Sequence, residues 1–406
     1  MDSDNGRDRD ACLGMDHVAA LALALLLGGS VIALVGQHTA ARAGPAIVLS
    51  LVLAALGTAP VLYCLHVLNQ QRPAGGGLHG VLQASWGRVG AGVLSGVLLL
   101  ELVVTSAGVA QSIASHLQVL LARCGIEAGN GMPVQLLAAT GLWLLGMVVL
   151  LPPRHVALIV CALLTVKIGI GLLLLALAAR YVHYALWIPW LPEATAPYRY
   201  GLGGVLAASV PLLGVFASVG LALGIPGMGR QARARQPLLL AGMLLLAMLL
   251  LIVLAALQAG LVEFPALAST RPLSVALQQH PQLHWMMPLL PLAGAAGLAA
   301  LLLVLMMLAA RLATQLRSAA GPAAPGFQVR LTWVAVVLSA ALLALLAPIG
   351  ALPVLPGPAT LLVMAALCLA VLHVQVPPSR VLPVLAPMAT VLCLLAAVER
   401  MRAWPG

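Results

Sequence analysis

The chain has 406 residues, of which 62% are hydrophobic and 7% charged, with a mean hydropathy of +1.09. A soluble domain carries about 25% charged residues, so this composition excludes a soluble globular protein and makes lipid the solvent. The net charge of +10 is not a nucleic-acid footprint, because the 20 basic residues are scattered between apolar runs with no basic face or interleaved aromatics.

The first ten residues, MDSDNGRDRD, are polar and mixed in charge, unlike the basic n-region of a signal peptide. They predict a disordered cytoplasmic tail over 1–15, followed by one transmembrane domain over 16–406. A spanning helix needs about 20 apolar residues. By that rule eleven spans are expected, near 17–36, 43–68, 91–121, 133–151, 155–180, 201–223, 237–259, 287–310, 331–347, 356–374 and 381–398. The third is long enough for an amphipathic extension beyond the lipid. With the N-terminus cytoplasmic, twelve arginines fall in inside segments and seven outside, and RQARARQP (Arg230 to Pro237) is the densest inside group. That asymmetry favours an N-inside, multi-pass protein of a plasma or cell membrane.

Span 1 contains Gly28, Gly29 and Ser30 at its middle. Glycine costs about 1 kcal/mol in a helix interior, so either another helix packs close there or the helix breaks. Span 6 carries Pro211, Gly214, Gly220 and Gly224. Two interrupted helices five spans apart fit two five-helix repeats of inverted topology, each opening on a broken helix. Small-residue packing between helices explains the same glycines equally well.

Two ionisable residues lie deep in spans, Glu101 in VLLLELVVTSAG and Lys167 in ALLTVKIGIG. A charge at the bilayer centre costs about 2.5–3.5 kcal/mol even on lenient scales. The pair is therefore expected either to serve coupling or substrate, or to pair helices. WIPWLP (Trp187 to Pro192), after Tyr181 and Tyr184, is expected to lie as a structured loop on the membrane surface. The six cysteines form no CxxC and predict neither a disulfide framework nor a metal site. HPQLH (His280 to His284) has metal-like spacing, but Pro281 works against a shared helix face. RPAGGG lacks the lysine and hydroxyl residue of a phosphate loop. No enzyme, cofactor or metal is expected.

The stretch from Gly28 to Leu117 resembles the amino acid–polyamine–organocation (APC) transporters, most closely their cationic amino acid transporter branch. GGSVIALVG and QHTAARAGPAIVLS, with Ala43 to Ala46, resemble that family's helix 1 and the start of helix 2. YCLHVLNQQRPAGGG resembles the end of helix 2 and the following loop, and LLLELVVTSAGVAQSIASHL resembles helix 3, with Glu101 at the family's glutamate. TVKIG places Lys167 on the helix-5 lysine, and STRPLSVALQ and LAARLATQL resemble segments before and within helix 8.

The resemblance implies an all-α, five-plus-five inverted-repeat amino acid permease with broken helices 1 and 6. It implies an amino acid carboxylate on the amides of Gly28, Gly29 and Ser30, and its ammonium near Ala217, Ser218, Val219 and Gly220. Lys167 would take the place of a coupling cation. The sequence departs from the family in having Ser30 at the second glycine, no aromatic or acidic group in 217–222, Leu65 for a glutamate, Gln111 for an arginine, and no twelfth helix.

Two functions follow. One is secondary transport of a small neutral or cationic amino acid, proton-coupled or facilitative. The other is a diverged, non-transporting membrane homologue acting as a partner or regulatory subunit. The expected partners are a small-molecule substrate and the bilayer, with no nucleic acid; nothing fixes an oligomer.

Overall fold

The structure, a computed structural model, describes residues 13–71, 77–123, 133–225, 230–269, 271–320, 326–355, 357–373 and 381–402. The charged tail over 1–12, Cys12, Cys124 and the loop over 72–76 lie outside the described residues. The end of the expected disordered tail, Met15, already begins a helix.

The first crossing is α1 (Met15–Leu27) and α2 (Val31–His38), separated at 28–30. Then come α3 (Ile47–Gln71), α4 (Gly77–Arg123), α5 (Val134–Val148), α6 (Pro153–Ala178), α7 (Gly201–Ala217) and α8 (Arg230–Leu261). A short α9 (Pro272–Gln278) precedes α10 (Leu289–Ala320), α11 (Gly326–Leu346), α12 (Pro358–Ala370) and α13 (Leu382–Arg402). No strand occurs among the described residues. Eight stretches are long and apolar enough to cross a membrane, and α5 and α12 are shorter apolar helices. The first stretch, Met15–Gln70, is 56 residues long and holds two crossings. Each of the eleven expected spans therefore coincides with an apolar helical segment of a multi-pass, all-α membrane protein, two of them, α5 and α12, shorter than a full span.

The helices sort by burial. α10 is the hub, buried along Leu298 to Ala310 and packed on α4 and α6. α6, α8 and α11 form the rim. Leu238 on α8 is 76% exposed and Leu346 on α11 is 72% exposed, and lipid accommodates such side chains where water would not.

Two departures from the expected spans have local causes. α4 begins fourteen residues before the expected start and bends at Gly87, whose φ of +71° is a conformation L side chains rarely adopt. The piece before the bend is tied down: His79 Nδ1 lies 2.9 Å from Ser95 Oγ, and Trp86 Nε1 donates to the Ala366 carbonyl at 3.1 Å. The sixth crossing stays helical past its proline and passes from α7 into a 3₁₀ segment, Ser218–Gly224.

Pro211 in α7 has no N–H, so the carbonyl of Ala207 loses its helical donor. Arg42 Nη1 supplies the missing donor at 2.8 Å, while Arg42 Nη2 pairs with Glu399 of α13 at 2.6 Å. Arg400 Nη2 donates to the Pro211 carbonyl at 3.3 Å. The middle of α7 is thereby held to the α2–α3 connection and to the end of α13.

Candidate functional site

The break in the first crossing sits at Ser30, whose φ of −77° and ψ of 33° lie outside the α-helical region. A break leaves the last carbonyls of α1 without N–H partners from the next turn, and hydrocarbon cannot solvate them. Lys167 of α6 meets this need. Its Nζ donates to the carbonyls of Leu27, Gly28 at 3.1 Å and Gly29 at 3.2 Å. The three donors of an ammonium match three orphaned acceptors. α10 makes room for the side chain with Gly297, where an added Cβ would lie 2.6 Å from Lys167 Nζ.

Glu101 plays a different part. Its Oε1 accepts from the amides of Gly357 at 3.1 Å and Thr360 at 2.9 Å and from the Thr360 hydroxyl at 2.5 Å; its Oε2 accepts from the amide of Ala359 at 2.5 Å. Pro358 stands at the first turn, where its missing N–H costs nothing. Glu101 is the N-terminal cap of α12, supplied from α4. Its acceptors are committed to that helix start, where negative charge also meets the positive end of the helix dipole.

Beside the break open two adjoining cavities of about 390 and about 540 Å³. Both are lined by Ser30, Ala33, His116 and Arg271. The first reaches down to Gly29 and Lys167, between α6, α9 and α10. The second runs along α4 past Gln111 and Ser112 to Gly357 and Arg400. Gln111 Nε2 donates to the carbonyls of Ala344 and Ala347, both at 3.0 Å, which holds the end of α11 against this wall. His116 Nδ1 lies 2.8 Å from the Ser112 carbonyl, so that nitrogen carries the proton and Nε2 is left toward Gly294 of α10.

The residues expected to bind substrate are not brought to one surface. Gly29 and Ser30 line the cavities, and Gly28 packs against Gly297 and Leu301. Ala217, Ser218, Val219 and Gly220 are fully buried and line neither cavity. Gly220 faces Met364 of α12 and Leu65 of α3, so this run is packing between helices. His280 Nε2 and His284 Nε2 bond to the separate carbonyls of Leu261 and Gln278, and no cluster able to hold a metal ion occurs among the described residues. Arg271, Arg400 and His116 also line the site, and no motif in the sequence singles them out.

No family model matches the chain. It is 22% identical over 273 residues to a methylthioribose transporter of Bacillus subtilis (strain 168), a match spanning 64% of this chain and 57% of that one. It is 34% identical over 98 residues to cationic amino acid transporter 5 of Arabidopsis thaliana, spanning 24% of this chain and 17% of that one. The chain thus matches little more than half the length of the first relative and less of the second. Its structure is similar to that of a Na+-coupled sialic acid symporter in a substrate-bound outward-open state, with a TM-score of 0.60 at 11% identity, covering 98% and 92% of the two chains. It is also similar to a variant of a manganese transporter of Eremococcus coleocola, with a TM-score of 0.58 at 13% identity over 96% and 86%. These likenesses establish the fold as that of helical membrane transporters.

Proposed function

We propose that this chain is a secondary transporter of the APC superfamily that moves a small amino acid across a cell membrane by alternating access, with its N-terminus cytoplasmic. The observation that carries the reading is the break at Ser30, which opens on a cavity whose floor is Lys167, bonded to the carbonyls of the break. α2 starts at the break, and its first amides have no acceptor within the helix. They offer a place for a carboxylate in a setting poor in water. The two distant relatives, named as transporters of methylthioribose and of cationic amino acids, support transport of a small organic solute.

In this reading Lys167 stands where a coupling cation would otherwise hold the carbonyls of α1. Charged, it ties α6 to α1; loss of its proton releases the tie and lets one helix set rock against the other. Such a cycle is proton-coupled, or facilitative where Lys167 stays charged throughout.

One observation favours the non-transporting reading. The run from Ala217 to Gly220 is sealed under Met364 and Leu65 and offers a ligand no surface. Uptake by purified protein in liposomes separates the two. A panel of labelled amino acids with an inward proton gradient should give saturable uptake of at least one compound above protein-free vesicles. Folded protein that matches the blank for every amino acid would count against amino acid transport and favour the partner-subunit reading.

A further inference from the structure

The described residues contain only five carboxylates: Asp16, Glu101, Glu193, Glu263 and Glu399. None lines either cavity at the break. Glu101 lies behind Gly357 with both oxygens engaged by α12, and Glu399 is paired to Arg42 at 2.6 Å. The charged or chargeable side chains that do line the two cavities are Lys167, Arg271, His116 and Arg400. Lys167, Arg271 and Arg400 are cationic, and the His116 imidazole adds no negative charge.

The four are not equally occupied. Lys167 is spent on the three carbonyls of the break. Arg400 lies within electrostatic reach of Glu101 and Glu399 but makes one long hydrogen bond, to Pro211 at 3.3 Å, and its Nε is buried without a partner among the described residues. Arg271 is exposed on the rim where the two cavities meet, and its side chain makes no hydrogen bond or ion pair among the described residues. A cleft walled by low-dielectric helices and lined by one sign of charge focuses its field on a counter-ion. An ammonium entering it meets no carboxylate, and a buried ammonium without one is costly.

Resting on the transport reading above, we propose that the substrate is a small dianion, a four- or five-carbon dicarboxylate with or without an α-amino group. One carboxylate takes the Ser30 end with Arg271, and the other takes Arg400 in the second cavity. A guanidinium at each suits the planar two-oxygen geometry of a carboxylate. The summed space is ample for such a solute, since small-molecule pockets run from about 300 Å³ upward.

The test is equilibrium binding to the purified, detergent-solubilised protein, run beside liposome uptake. Labelled succinate and L-aspartate should bind saturably, and L-alanine and L-arginine should compete at least about tenfold less well. Arg271→Gln and Arg400→Gln should each weaken dicarboxylate binding by about tenfold, while Arg271→Lys and Arg400→Lys, which keep the charge, lose less. Raising the ionic strength should weaken binding of the dianions and leave competition by L-alanine in place. Succinate binding as tightly as L-aspartate identifies the carboxylates alone as the recognised groups; L-aspartate alone identifies an acidic amino acid. Dicarboxylate binding without uptake would overturn the transport reading and leave this one standing. Uptake of L-alanine or L-arginine that neither dicarboxylate inhibits would overturn this inference and leave transport standing. Gel-filtration profiles of the folded variants keep loss of binding distinct from loss of structure.

Discussion

Arg42 Nη1 lies 2.8 Å from the carbonyl oxygen of Ala207, the acceptor that Pro211 leaves without its helical N–H. A residue of the α2–α3 connection thus completes a hydrogen bond inside α7 that α7 cannot make for itself. Arg42→Met should lower stability by about 2 kcal/mol, the cost of a buried acceptor left unpaired. In a Pro211→Ala background, where the helix can serve Ala207 itself, the same change should cost less. A double-mutant cycle on thermal unfolding in detergent measures the difference; equal costs in both backgrounds would mean that Arg42 acts only through Glu399.

Glu101 caps α12 rather than waiting for a ligand. Glu101→Ala should destabilise the fold by about 3 kcal/mol or more, since it strands three amides and a hydroxyl in a dry interior. Glu101→Gln should destabilise less but still measurably, because its amide nitrogen turns a donor toward donors. Thr360→Val should cost about 1 kcal/mol. Melting curves of the three proteins rank them, and a Glu101→Gln variant of unchanged stability that lost only substrate affinity would reverse the assignment.

Gly297 is the wall that Lys167 rests on. Gly297→Ala should push the ammonium from the carbonyls of Leu27 to Gly29 and reduce transport as Lys167→Ala does. Lys167→Ala should leave the protein folded and abolish accumulation. Gly242→Ala, where an added Cβ meets nothing within 4 Å, should leave uptake unchanged and raise stability by up to about 1 kcal/mol. Uptake rates and melting temperatures of the three variants check the set.

The crossings were legible in the sequence because a length of apolar residues is all that a membrane span requires. Their ends were less so. α4 runs back to Gly77, and α10 runs on to Ala320, past any apolar limit, since helices extend beyond the lipid wherever neighbours hold them. Lys167 stood out as a lone cation in an apolar run, yet its acceptors are 138 to 140 residues away. Glu101 was equally visible, but its role depends on a helix start 256 residues on, which no local pattern displays. The run from Ala217 to Gly220 read as a site because its glycine and serine permit unwinding. The packing of Leu65 and Met364 decides against an open backbone there. Arg271 and Arg400 carried no signal beyond their charge, because only the folded chain sets them around one space.

The opposite ends of the bundle differ in what they leave open. Among the described residues, the space around Arg311 between α4, the 3₁₀ segment and α10 is about 10 Å³, too small for a solute, whereas the cavities at Ser30 are wide. A thiol reagent that does not cross membranes should therefore reach Ala33→Cys from the Arg271 end, in a background with Cys12, Cys124 and Cys161 changed to serine, Cys161 being the exposed thiol among the described residues. Labelling from the other side alone would contradict this arrangement.

If the chain transports, its solute passes through the cavity at the break in the first crossing. The direct measurement is liposome uptake by the wild type beside Gly29→Trp, a variant whose indole would fill the space next to Ser30 and Leu355. Uptake should be saturable in the wild type and should disappear in the folded variant. Wild-type rates in a folded Gly29→Trp protein would contradict this route.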